Sequence, residues 1–174
     1  TDGQAFSELK MPYDTVKKQK RSGRLRSKKT GRIKRRKDMI VMVCVDDNNG
    51  MMFNKRRQSQ DRVLRQRMLE LSGEKKLWMN DYSRRQFPEE EAGHIAVTES
   101  DFLDIAPGEI CFLEDQDPAQ YEAQIEELIL FRWNRVYPAD LHCTLDLSVW
   151  KLTETEEFAG NSHEKITQER YVRE

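Results

Sequence analysis

Several side chains in this sequence are of the types, and at the spacings, that can do chemistry. Asp46 and Asp47 follow directly on an apolar run, and two hard carboxylates at the end of a strand can hold Mg²⁺ for phosphoryl chemistry. Asp46-Asp47-Asn48-Asn49-Gly50 is also complete turn chemistry, and a solvated turn is the simpler reading. Lys55, Arg56, Arg57, Arg62, Arg65 and Arg67 form a local basic cluster that could receive a phosphate or nucleotide, although a charged helix face explains it more simply. Asp61 stands at the start of a helical pattern, where a carboxylate complements the helix dipole. His163 beside Glu164 offers an acid/base pair, but neighbouring loop side chains are weak grounds for catalysis. His94, His142 and His163 are isolated, and none of Cys44, Cys111 and Cys143 is spaced as CxxC. Reduced, mostly buried thiols are expected, without zinc or disulfide chemistry, and Trp78, Trp133 and Trp150 read as packing residues.

The charge changes character at Met39. Residues 1–38 carry 14 Lys/Arg against four Asp/Glu, and residues 39–174 carry 16 against 27. A net +10 arm thus precedes a net −11 body, and the overall charge of −1 averages two unlike segments. Between Lys17 and Lys37 the only apolar residues are Leu25 and Ile33, too few to offset the entropy of ordering, so the arm is expected to be disordered. Its functional reading is a non-specific electrostatic tether for nucleic acid through residues 17–37, without aromatics to stack on bases. The alternative is a translation start at Met39, with the basic stretch as upstream sequence read in frame. No apolar run approaches the roughly 18 residues of a bilayer span, so no membrane partner and a soluble, cytoplasmic setting are expected.

The body is patterned as one α/β domain, residues 39–174, flanked by helices. Met39 to Val45 is an unbroken apolar and β-branched run that suits a central strand buried on both faces. Ser59 offers an N-cap, Val63, Leu64, Met68 and Leu71 an apolar stripe, and Gly73 a helix stop. Short strands are predicted at 76–79, 94–98 and 109–113, with a capped turn from Ser100 and a break at Pro107-Gly108. Asp117-Pro118 opens a second predicted helix carrying Tyr121, Ile125 and Leu128 at i, i+4, i+7. A strand from Leu128 to Val136, the turn 137–140, and two extended segments, 150–155 and 166–173, complete a mixed sheet.

In this order, the strings resemble the dihydrofolate reductase family. Val43 to Met51 resembles that family's opening strand and V-D-x-x-x-G-M turn, and Asp61 with the helix after it resembles its first helix. Leu77-Trp78-Met79-Asn80 stands at the V-I-M-G strand end. Glu126 to Trp133, Tyr137-Pro138, Asp146 to Leu152 (D-L-S-V-W-K-L) and Tyr171-Val172-Arg173 resemble its late strand, F-P turn, D-x-S-x-W-x-L string and closing Y-x-R strand. The resemblance covers Met39 to Arg173 and implies a dihydrofolate-reductase-like mixed sheet. Small bacterial proteins with such strings are sometimes labelled ribonuclease Z, but that label implies an H-x-H-x-D-H cluster holding two zinc ions, which this sequence lacks.

The resemblance also implies where the family's chemistry has been replaced. Its Gly-Gly pair, which lets main-chain amides approach the NADPH pyrophosphate, is here Glu114-Asp115. Like-charge contact there is unfavourable by on the order of 1 kcal/mol or more. Its Gly-Arg-x-Thr string, whose arginine helps bind the extra phosphate of NADPH, becomes Asn80-Asp81-Tyr82-Ser83. Its Leu-Pro-Trp loop is shortened to about Arg56-Arg57-Gln58-Ser59, and its late-strand threonine aligns with Phe131. Asp61 matches the pterin-binding carboxylate. The candidate ligand-binding residues are therefore Asn49, Arg56, Arg57, Asp61 and Phe131, with Asp61 the candidate catalytic residue and no cofactor-binding or metal residues. The leading expectation is a non-catalytic module for a small ligand on this scaffold, without NADPH. The alternatives are a divergent NADPH-dependent reductase and a nucleic-acid-associated protein that uses the arm.

If the arm binds nucleic acid, the full chain will show RNA or DNA affinity that falls steeply with salt, and residues 39–174 alone will show none. Equally poor binding by both at low salt, in a filter or fluorescence titration, refutes the tether.

Overall fold

The computed structural model describes residues 39–99 and 108–173; the basic arm and most of the turn predicted from Ser100 lie outside the described residues. The apolar run Met39–Val45 forms strand β1, which pairs in parallel with β6 (Ile110–Phe112) on one side and β7 (Ile125–Arg132) on the other. Both its edges are filled by neighbours and both its faces by side chains, which is why the run carries no polar alternation. β4 (Leu77–Met79) and β5 (Ile95–Val97) extend the parallel side beyond β6. β10 (Ile166–Arg173) and β9 (Trp150–Phe158) add an antiparallel pair beyond β7. The resulting order is β5-β4-β6-β1-β7-β10-β9, a seven-stranded mixed sheet among the described residues.

The period of two along each strand sorts the core into two layers. Met39, Val41, Val43 and Val45 of β1 pack with Leu128 and Leu130 of β7 and with Trp150 and Tyr171. Met42 packs on the opposite face with Ile129, Phe131, Trp133 and Ile166, and with Leu64 and Met68 of the helix α1 (Arg62–Ser72). Gly73 ends α1 at φ +59, a conformation suited to glycine, and its N–H reaches the carbonyls of Leu69 and Glu70. Two of the tryptophans, Trp133 and Trp150, are buried in these layers as packing residues.

Four local expectations need correction. The N-cap of α1 is Asp61, not Ser59: its carboxylate accepts from the Val63 and Leu64 amides, and a carboxylate is the better partner for the helix dipole. The predicted second helix is only a 3-10 segment, Pro118–Gln124, because Ile125 and Leu128 are drawn into β7, where both are fully buried. The late strand accordingly runs Ile125–Arg132 rather than 128–136. The region read as a loop holds a hairpin, β2 (Gly50–Phe53) and β3 (Arg56–Arg57), turning at Asn54-Lys55; both residues have positive φ, as a tight two-residue turn requires. With β8 (Leu141–His142) the hairpin makes a three-stranded sheet in the order β3-β2-β8. A four-residue helix that the sequence reading missed, α2 (Asp81–Arg84), is capped by Asn80, whose side chain accepts from the Ser83 amide.

Met42 is fully buried at the centre of the sheet. Met42→Ala is expected to lower unfolding free energy by about 2–5 kcal/mol in denaturant titration, whereas Lys151→Ala on the outer strand stays within about 0.5 kcal/mol.

Candidate functional site

In open sheets of parallel strands, ligands ordinarily bind in the crevice beyond the carboxyl ends of the strands. β5, β4, β6, β1 and β7 all deliver their chain ends to this edge. Asp46 follows β1, Asn80 and α2 follow β4, Leu113, Glu114 and Asp115 follow β6, and Trp133 to Tyr137 follow β7. The hairpin lies over this edge and sends Arg57 into it.

Arg57 meets Glu114 as a two-pronged pair: Nε donates to Oε2 at 3.1 Å and Nη2 to Oε1 at 3.2 Å. Nη2 also donates to the Tyr82 carbonyl at 3.1 Å, and the guanidinium lies 4.3 Å over the Tyr82 ring. The Arg57 amide donates to the Tyr82 hydroxyl at 3.0 Å, and Gln86 Nε2 donates to Glu114 Oε1 at 3.0 Å. Glu114 is only 8% exposed and Arg57 20%. The space left beside this pair, bounded by Cys44, Ser59 and Trp133 among others, is about 10 Å³, at the threshold for a single water. Burial, and then the Glu114 charge, push the Cys44 thiol well above its ordinary value. Cys111 is pushed up to about 12 and Cys143 to about 11, in each case chiefly by burial, so all three free cysteines stay protonated.

Asp61 is 2% exposed and accepts from many donors: the amides of Val63, Leu64, Asn161 and Ser162 and the Ser162 hydroxyl, all within 3.2 Å. Burial alone would raise its pKa, but these bonds outweigh it and hold the group far below the ordinary carboxylate range. The loop approaches so closely that a Cβ on Gly160 would lie 2.3 Å from Asp61 Oδ2. His163, itself buried, stacks on Trp133 with ring centroids 4.5 Å apart. Its Nδ1 faces Ser162 Oγ at 2.9 Å and Asp61 Oδ2 at 3.4 Å, and its Nε2 faces the hydroxyls of Tyr137 at 3.0 Å and Ser59 at 3.3 Å. A carboxylate on one side and hydroxyl donors on the other set the tautomer, with the proton on Nδ1 and Nε2 accepting. Burial lowers the His163 pKa, outweighing the opposite pull of Asp61.

The turn 46–50 forms with Asp47, Asn48 and Asn49 exposed, as the solvated-turn reading expects, but Asp46 itself is fully buried. Its carboxylate accepts from the Asn48, Gly50 and Tyr137 amides and from Gln58 Nε2. Burial alone would raise its pKa, and these donors keep it below the ordinary value.

The remaining expected residues are dispersed. Asn49 is exposed at φ +60 and accepts from Arg132 Nη1. Arg56 is exposed on β3, beside a groove of about 490 Å³ that Tyr137 also lines. Phe131 is fully buried in the second core layer. Asp81 is exposed and paired with Arg85 at 2.7 Å, and Asp115 is exposed and accepts from Asn80 Nδ2 at 2.8 Å. The basic cluster is split: Arg57 turns to Glu114, Arg67 to Gln168 and Glu156, while Arg62 and Arg65 line a separate cleft with Arg85. Lys55 borders a cleft of about 580 Å³ with Met52, Tyr82, Asp115, Asp140 and Leu141. Sequence reasoning missed Tyr82, Gln86 and the junction of His163 with Asp61. The Asn80 cap was the one local signal for the first two; the third joins residues about a hundred positions apart.

No protein-family model matches the chain, and no curated protein matches it in sequence. Its fold matches a solved structure, dihydrofolate reductase from Enterococcus faecalis complexed with NADP(H) and RAB-propyl, with a TM-score of 0.56 and 12% identity over 79% of this chain and 97% of that one. The domain therefore has a dihydrofolate-reductase-like fold, as the ordered strings implied.

The His163 and Asp61 shifts generate a pH dependence. The folded pKa of His163 lies below its unfolded value near 6.5, so the unfolded chain takes up this proton first and stability declines as pH falls through and below that value. The Asp61 contribution is complete above its unfolded value of 3.8 and is lost at lower pH. In urea titrations, His163→Gln will remove the decline between about pH 7 and 5 and keep the steep loss below about pH 4. An unchanged slope in the upper window contradicts the assignment.

Proposed function

We propose that the folded domain is a non-catalytic, small-ligand-binding module on a dihydrofolate-reductase-like scaffold, and that it does not use NADPH. One observation carries this reading. The segment after β6, where the resemblance calls for bare glycine backbone against a pyrophosphate, presents the Glu114 side chain, buried and gripped by Arg57 and Gln86. A phosphate there would have to displace an ion pair and then face the released carboxylate, at a desolvation cost that a dinucleotide's contacts would have to exceed. Asp115, the next residue, adds a second carboxylate at the surface, and Asp81 with its partner Arg85 leaves no net positive charge where the extra phosphate of NADPH would lie. The residues present do not fit the cofactor, and without a positioned cofactor no hydride transfer follows.

The ligand site we assign is likewise not at Asp61. The oxygens of that carboxylate are filled by donors of this chain, which argues for a structural role there. Open space exists instead in the cleft bounded by Met52, Tyr82 and Leu141.

Thermal unfolding of the full chain with NADPH, with and without dihydrofolate, tests the reading: a ligand binding the native state raises the melting temperature with concentration. NADPH is expected to leave it unchanged. A saturable NADPH-dependent rise, or oxidation of NADPH in the presence of dihydrofolate, overturns the proposal in favour of a divergent reductase.

A further inference from the structure

We infer that the cleft beside Tyr82 selects a flat, positively charged ligand, an aromatic ring bearing an amidinium or ammonium group, and rejects phosphorylated and carboxylate ligands. This deepens the reading above and rests on it. At about 580 Å³ the cleft lies in the range that holds small organic molecules. Met52, Leu141 and the Tyr82 ring supply apolar walls, and a planar ring is the shape that buries most area against a tyrosine.

The polar groups on the rim set the sign of the charge. Asp115 is held by Asn80, which donates to its Oδ2 at 2.8 Å, and Asp140 is held by the Asn54 amide, which donates to its Oδ2 at 3.0 Å. Each carboxylate is anchored through one oxygen, and among the described residues its other oxygen has no donor and can accept from a ligand. Short, anchored carboxylates lose little freedom on binding and act as fixed charges. Among the described residues Lys55 is the one cation on the rim, an ammonium on a long stem at the tip of the hairpin that can swing into water. The pairing of Arg57 with Glu114 neutralises that guanidinium, which also lies over the Tyr82 ring. Beyond the rim, residues 39–174 carry 16 basic against 27 acidic side chains, so the surrounding field also favours a cation.

Benzamidine and benzoate, matched in shape and opposite in charge, make the test. Each is titrated into the full chain and followed by thermal shift and by the NMR methyl signals of Met52 and Leu141. Benzamidine is expected to shift both methyls saturably, with affinity that weakens as salt rises, and benzoate to leave them in place. In the doubly substituted Asp115→Asn, Asp140→Asn protein, where each amide oxygen can still accept from Asn80 Nδ2 and the Asn54 amide, benzamidine affinity is expected to fall by about tenfold or more. The inference is overturned if benzamidine leaves the methyls unmoved at millimolar concentration, if benzoate binds as well, or if the substituted protein binds benzamidine as tightly as the unsubstituted one. Any of these removes only the ligand class, whereas a melting-temperature rise with NADPH removes the cofactor-free reading itself.

Discussion

The organisation of the candidate site depends on the pairing of Arg57 with Glu114. Two opposite charges withdrawn from water are tolerated only when geometry and additional hydrogen bonds satisfy what remains of each. Here the guanidinium divides its donors between the carboxylate and the Tyr82 carbonyl, and the carboxylate takes a third donor from Gln86. These contacts tie together the hairpin, the turn after β6 and the region of α2, three segments that share no strand pairing. If either charge were removed, its partner would be left partly buried and uncompensated, and the edge would have to reopen to water. The part of the crevice between Arg57, Glu114 and Trp133 is therefore closed by this chain's own side chains, whereas the cleft beside Tyr82 stays open.

Asp46 and Asp61 repeat the arrangement. Each is nearly inaccessible and serves as a collecting point for N–H groups from a distant segment: Tyr137 for Asp46, and residues 161 and 162 for Asp61. Together with Glu114 they place three buried carboxylates on the side of the molecule where the parallel strands end. A carboxylate surrounded by donors is a loop anchor, and its depressed pKa, seen for Asp46 and Asp61, records those bonds rather than readiness to transfer a proton. Asp115 and Asp140 differ in that they remain at the surface, anchored through a single oxygen. The contrast between filled and half-used carboxylates separates architecture from the proposed recognition surface more sharply than acidity does.

The sheet was legible in the sequence because its signals are local. The unbroken run at Met39 to Val45 implied a strand covered on both faces, and the order of short strings down to Tyr171-Val172-Arg173 implied the mixed sheet. Where local signals competed with long-range pairing, the pairing prevailed: Ile125 and Leu128 carry helical spacing, yet they lie in β7 because β1 and β10 offer partners on both sides. The hairpin went unread because its turn uses Asn54-Lys55 in place of a glycine. The candidate site was less legible still. Asp61 was recognised as a helix-terminal carboxylate, but nothing near it in sequence announces Ser162 or His163, and Arg57 gives no local sign that it will meet Glu114 rather than a phosphate.

This division has a physical basis in where the two kinds of information reside. Stability comes mainly from apolar side chains alternating through the sheet, such as Val41, Met42 and Val43, and most of these lie within the layers rather than in the loops at the strand ends. The loops contribute charge and hydrogen bonds whose net worth is small when satisfied and whose cost is large only when one partner is lost. A chain can therefore carry acids after β6 and keep its fold, provided that each buried charge acquires a partner in the same structure. Arg57 meets that condition for Glu114, and the two side chains leave only about 10 Å³ beside them. With 12% identity to the Enterococcus faecalis enzyme, the architecture is shared while the chemistry at the strand ends must be argued from this chain's own residues.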